Sequence, residues 1–95
     1  MKVQQFEDAQ QGRFFIEEAG KTRAEMVYTL AKPATITIEH TEVAKDLRGK
    51  NVAHDLLDCA LVYAREKHFK INPVCQFVKG IFDKNPELYY DVLIS

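Results

Sequence analysis

The segment His40-Thr41-Glu42-Val43-Ala44-Lys45-Asp46-Leu47-Arg48-Gly49-Lys50-Asn51-Val52-Ala53 decides how this chain is read. Its first residues close a β-branched stretch, its middle is a short basic loop, and its last residues open a helical pattern. The first turn of a helix exposes about four unpaired N–H groups and carries roughly half a positive charge. A loop feeding directly into such a turn binds phosphate through its backbone. Gly49 lets that backbone approach a ligand, and Arg48 and Lys50 add charge at the same point. Asn51 is among the few non-glycine residues that tolerate a left-handed conformation. An ordinary helix start with solvated basic residues carries the same pattern, so the loop has to be read with its surroundings.

Upstream, the chain reads as antiparallel sheet. Gly12 to Glu18 holds Phe14, Phe15 and Ile16 and stops at the turn signal Ala19-Gly20-Lys21. The next stretch alternates, with Ala24, Met26, Tyr28 and Leu30 on one face and Arg23, Glu25, Val27 and Thr29 on the other. Lys32-Pro33 breaks the pattern, because proline cannot donate to a ladder and turns its predecessor away from helix. A third strand places Ala34, Ile36, Ile38 and His40 on one face and Thr35, Thr37, Glu39 and Thr41 opposite. These strands, joined by short turns, make a meander.

Downstream the period changes. Ala53, Leu56, Leu57, Ala60, Leu61 and Ala64 form one apolar stripe, with Asp55, Asp58, Arg65 and Lys67 mostly away from it, which predicts a helix from about Lys50 to His68. Phe69 to Cys75 has the length of a buried strand, and Gln76 to Asp83 reads as a second helix. Asn85-Pro86-Glu87 looks like the start of a further short one, since proline suits a first helical turn. The order β-β-β-α-β-α is an α/β (α+β) architecture: an antiparallel meander, then a crossover that makes its two strands parallel.

Composition limits the function classes. With 95 residues the expectation is a single domain over 1–95. Apolar residues at 46% and charged residues at 28% argue against disorder. A net charge of −1 gives no basic field for nucleic acid. No apolar run approaches the roughly 20 residues that span a membrane, and the polar start Met1 to Asp8 is no signal peptide. Cys59 and Cys75 make neither a disulfide framework nor a zinc spacing, and no metal ligand set is expected. The expectation is a cytoplasmic protein with reduced thiols.

The loop Arg48-Gly49-Lys50-Asn51-Val52-Ala53 resembles the pyrophosphate turn of the GCN5-related N-acetyltransferase superfamily. There the pattern is Arg or Gln, two residues, Gly, one residue, then Gly or Ala; Arg48 and Ala53 match it, and Asn51 stands where the family places glycine. Glu39-His40-Thr41-Glu42-Val43, Leu47-Arg48-Gly49, Ile71-Asn72-Pro73-Val74-Cys75-Gln76-Phe77-Val78 and the ending Asn85-Pro86-Glu87-Leu88 resemble a branch of very small members, in compatible order from Phe14 to Val92. The resemblance implies a minimal acetyltransferase fold whose two parallel strands splay apart, with acetyl-CoA (or coenzyme A) lying in the wedge. By position it implies Thr41, Glu42, Val43, Arg48, Gly49, Lys50, Asn51, Val52, Ala53 and His54 as cofactor-binding residues. Pro73 suits a place where strand pairing is interrupted.

Acyl transfer to an amine requires a deprotonated acceptor, a donor for the carbonyl oxyanion and an acid for the departing thiolate. The branch implies Cys75 at the mouth of the wedge, where a helix dipole or a histidine can lower a thiol's pKa and make it a thioester-forming nucleophile. His40, on the face of Ile36 and Ile38, is the expected partner, so Cys75 and His40 are the catalytic candidates. Both residue types also serve as ordinary core packing. Glu39 or Glu42 are alternative bases, and Tyr89 and Tyr90 are candidate acids by analogy. Full-length relatives carry a helical pair and further C-terminal strands that shape the acceptor site. Here the expectation is an open acceptor surface, or one completed by a partner or second copy, with monomer or homodimer left open. The two functional readings are an N-acetyltransferase acting on a protein lysine or small amine, and an acyl-CoA-binding sensor or accessory module with little catalysis.

Overall fold

The alternating patterns upstream of the loop form the expected meander, and the computed structural model describes residues 2–94. Strands β2 (Gln11–Glu18), β3 (Lys21–Ala31) and β4 (Thr35–Val43) pair antiparallel in sequence order. A further strand, β1 (Gln4–Glu7), adds to the free edge of β2, so the meander begins one strand earlier than the pattern suggested. Every side chain of β1 is exposed, which leaves no alternation to read. Helix α1 (Val52–Lys67) crosses over to β5 (Lys70–Pro73), which joins β4 in parallel and completes the order β1-β2-β3-β4-β5.

The helix runs shorter than its pattern at both ends. Lys50 and Asn51 precede it, and His68 caps it in a left-handed conformation, φ 59°. The strand expected over Phe69–Cys75 pairs only at Lys70–Pro73, while α2 (Gln76–Lys84) runs one residue beyond expectation. A short 3-10 turn covers Pro86–Leu88. Ala34, expected on the buried face of β4, lies in the preceding turn with φ 43°.

One core joins these elements. Phe14, Ile16, Met26, Tyr28, Ile36 and Ile38 on one sheet face meet Leu56, Leu57, Ala60 and Ala64 of α1. Each leucine so buried stabilises the fold by about 1.5–3 kcal/mol. Val78 and Phe82 of α2 and Val92 close the end of the same cluster. Among the described residues no helix is long and apolar enough to cross a membrane.

A bulge in β4 has the largest consequence for function. Tyr28 pairs with Ile38, but Val27 pairs with His40, so Glu39 is an extra residue in β4. An extra residue reverses which side chains face the core. His40 therefore leaves the face of Ile36 and Ile38 and becomes exposed, opposite Val27. Thr41 and Val43 turn inward instead, opposite Met26 and Ala24. The strict alternation expected for this strand holds only as far as Ile38.

Candidate functional site

The parallel pairing of β4 with β5 ends at Ile38 and Pro73. One more backbone bond, from Cys75 N–H to the Ile38 carbonyl at 2.9 Å, ties the two together before α2 turns away. Beyond that point β4 continues to Val43 with β3 on one side only. Ala44 N–H donates to the Arg23 carbonyl, so by alternation the backbone groups of Thr41 and Val43 point away from β3, into the gap. Val43 shows the direction, since its carbonyl accepts from Arg48 Nε at 3.3 Å.

A cleft of about 670 Å³ follows this free edge, bounded by Thr41, Val43, Ala44, Arg48, Ala53 and Phe77. A smaller pocket of about 260 Å³ continues from it past Gly49, Asn51 and His54, sharing Val43, Arg48, Ala53 and Phe77. Gly49 has φ 82° and Asn51 φ 60°, both in the left-handed region the loop's residue types anticipate. No side chain caps the first turn of α1, so its leading N–H groups remain available to a ligand. Such a turn, with Arg48 beside it, fits a diphosphate group, and the free edge of β4 fits an extended amide-bearing arm.

Of the cofactor-binding candidates, Thr41, Glu42, Val43, Arg48 and Ala53 line the large cleft, and Gly49, Asn51, Val52 and His54 line the pocket. The Val52 side chain is buried in the core. Lys50 is exposed and lines neither. The His54 ring meets Phe77 edge-on, with centroids 5.2 Å apart. Phe77, which walls both spaces, stood in the sequence motif without a role.

Cys75 is buried, caps the start of α2 and has its Sγ 3.3 Å from Thr41 Oγ. The bulge thus brings Thr41 to Cys75 and not His40, and the expected Cys75–His40 pair does not form. Glu39 accepts from Thr29 Oγ1 at 2.9 Å. Glu42 lies opposite Glu25 across the strands, both at the rim of the cleft, and Glu25 is bridged to Arg13 at 3.1 Å. Tyr89 stacks on Phe82 with centroids 4.6 Å apart, and neither Tyr89 nor the exposed Tyr90 lines the cleft. Cys59 lies in a separate groove along α1, and burial, reinforced by Asp58 and Asp55, pushes its thiol up, away from the reactive thiolate.

Comparison with known proteins agrees with this geometry. The family described as GCN5-related N-acetyl-transferase matches residues 13–92. Protein NATD1 of Danio rerio is 26% identical over 68 residues, and the match covers 72% of this chain but 62% of that protein, under two thirds of its length. Protein NATD1 of Mus musculus is 28% identical over 80 residues, covering 83% of this chain and 73% of that protein. A GCN5-like protein of Staphylococcus aureus, solved by NMR, superposes with TM-score 0.76 at 30% identity, covering 99% of this chain and 88% of that one. The ribosomal-protein-alanine N-acetyltransferase of Brucella melitensis shares the fold alone, with TM-score 0.63 at 20% identity over 93% of this chain and 64% of that one.

Proposed function

The chain belongs to the GCN5-related N-acetyltransferase family, and from that premise we propose that it acts as a single domain that binds acetyl-CoA and transfers the acetyl group directly to an amine. One observation carries this reading: the cleft along the free edge of β4 runs without interruption into an uncapped helix N-terminus. Arg48, Gly49, Asn51 and the first N–H groups of α1 would hold the diphosphate, with Lys50 adding charge nearby. The backbone groups of Thr41 and Val43 would hold the pantetheine arm, and Ala53, Phe77 and His54 its surroundings. When bound, acetyl-CoA supplies an acyl group already activated as a thioester.

The two ends of the cleft differ in charge. Arg48 marks the end at the helix, while Glu42 and Glu25 mark the rim. The rim suits a cationic acceptor, and Glu42 would take the proton an ammonium must lose before it attacks. Thr41 Oγ lines the cleft and shares a hydrogen bond with Cys75 Sγ, so a departing thiolate would take the Thr41 hydroxyl proton as the Cys75 thiol replaces it. A Cys75 nucleophile would need a base, and His40 neither meets Cys75, whose partner is Thr41, nor lines the cleft. Direct transfer is favoured for that reason, in the reducing cytoplasm that suits two free thiols. The binding-module reading draws on the same geometry, because no buried base is committed to the cleft among the described residues.

Incubation with acetyl-CoA and a panel of amines, followed by intact-mass spectrometry and release of free thiol, separates these readings. Direct transfer predicts turnover with at least one amine and no stable mass gain on the protein. An acetyl adduct mapping to Cys75 would replace it with the thioester route. Binding without transfer to any amine would leave the sensor module, and no binding would end the proposal.

A further inference from the structure

We propose that Arg23 is a positioning residue for the cofactor loop: it holds the loop's preceding turn against β3 and masks the Asp46 carboxylate, so that the anion site stays anion-accepting. The inference rests on the cofactor reading above and concerns a residue far from the loop in sequence. Arg23 is the extra residue of a second bulge, since Ile16 pairs with Ala24 while Glu17 pairs with Thr22. The bulge releases its side chain from strict alternation. The guanidinium donates through Nη2 to both Asp46 oxygens at 2.5 Å and through Nη1 to Glu18 at 2.7 Å. Its carbonyl accepts from Ala44 N–H at 2.8 Å. Backbone and side chain of one residue therefore grip both ends of the segment Ala44–Asp46, which leads into Arg48 and Gly49.

The electrostatic part is separable from the mechanical one. Asp46 lies in the 3-10 turn Lys45–Leu47, and its side chain is 71% exposed. The Arg23 guanidinium, bonded to it, holds its carboxyl below the usual range, with Lys50 contributing less. Asp46 is thus a carboxylate two positions before Arg48, and uncompensated it would repel a diphosphate at the helix start. The pair is an exposed one, so its effect is modest, and Arg23 also borders the cleft, so direct contact with the ligand is the competing explanation.

Calorimetric titration with coenzyme A of the wild type, Arg23→Ala, Arg23→Lys, Asp46→Asn and the Arg23→Ala/Asp46→Asn pair decides between them. Masking predicts an affinity about threefold to fivefold weaker for Arg23→Ala at low salt, a smaller loss for Arg23→Lys, and near-wild-type affinity for Asp46→Asn. The double variant should bind like Asp46→Asn alone, because removing the carboxylate removes what the guanidinium masks, while the backbone bond from Ala44 N–H to the Arg23 carbonyl still holds the turn. Arg23→Ala binding as well as wild type overturns the inference. So does a loss that persists unchanged in the double variant, which assigns Arg23 to the ligand directly. Should Arg23→Ala fail to fold, Arg23→Lys with and without Asp46→Asn reads the same coupling. If the wild type itself does not bind, the cofactor reading fails and this inference with it.

Discussion

Two unpaired stretches of the sheet, the outer side of β1 and the end of β4, are managed in opposite ways. At one, β1 is only four residues long and its carboxylate is tied to two tyrosines. Gln5 Nε2 donates to Tyr28 Oη at 2.7 Å, Tyr28 Oη donates to Glu7 Oε1 at 2.7 Å, and Tyr63 Oη donates to the same oxygen. Shortness and side-chain ties are ordinary ways to close an edge against stray pairing. At the other, the residues of β4 beyond Ile38 lose β5 and keep side-chain contacts in its place, Arg48 Nε to the Val43 carbonyl and Cys75 Sγ to Thr41 Oγ. Instead a helix N-terminus and Arg48 face the opened backbone. Unpaired backbone beside bonded carboxylate and phenol groups is closed off, whereas unpaired backbone beside a positive turn is left open to a ligand.

The largest effect that separates the two edges is expected from Gly49→Asp. It sets a carboxylate where the helix start favours anions, at a φ of 82°, and should weaken coenzyme A binding at least about 100-fold. The fold should survive with about 1–2 kcal/mol lost to the positive φ, because nothing lies within 4 Å of the added Cβ. A calorimetric titration and a melting curve read both halves of that statement, and an unchanged affinity would break the contrast.

Gly12→Ala is the converse. An added Cβ would lie 2.5 Å from Tyr28 Oη and 2.8 Å from the Phe6 carbonyl, so the β1 edge must shift. The expected cost is about 1–3 kcal/mol of unfolding free energy by denaturant titration, with coenzyme A affinity within twofold of wild type. An affinity that fell together with stability would mean that the edges are coupled.

Alkaline pH sharpens the comparison at the closed edge. Burial, with the Glu7 carboxylate adding to it, pushes the Tyr63 phenol up to about 12, and burial likewise raises Tyr28. An unfolded tyrosine ionises near about 10. Above that pH the unfolded chain releases protons that the folded chain retains, so stability is complete below about pH 10 and falls as pH rises towards 12. Melting temperatures at pH 9 and 11 should differ for the wild type and differ less for Tyr63→Phe. Equal drops would place the alkaline sensitivity elsewhere.

His40→Ala should do least, shifting stability by no more than about 0.5 kcal/mol and turnover by less than twofold, since the bulge leaves it exposed. A loss of turnover comparable to that of Thr41→Val would restore His40 to the chemistry.

The contrast also explains what could be read in advance. The meander, the crossover and the stripe of Leu56, Leu57, Ala60 and Ala64 follow from periods of two and 3.6, and those periods are in the sequence. The left-handed turn was legible because Gly49 and Asn51 are the residue types that tolerate it. Strand β1 was not, since Gln4-Gln5-Phe6-Glu7 has no buried face to impose alternation. The bulge was hidden for the opposite reason: the side chains from Thr35 to Thr41 alternate without a break, so nothing announces that Glu39 is the extra residue. One inserted position exchanged His40 for Thr41 at Cys75. The contacts of Arg23 with Asp46 and of Phe77 with His54 join distant segments, and local pattern carries no trace of those.

Backbone amide NMR during a titration with coenzyme A tests most directly whether the free edge of β4 is the cofactor groove. Shifts should concentrate at Thr41, Val43 and Arg48 to His54, while Gln4 to Glu7, Tyr28 and Tyr63 stay in place. Shifts centred on β1 and the Tyr63 side of α1, or none at all at millimolar ligand, would contradict it.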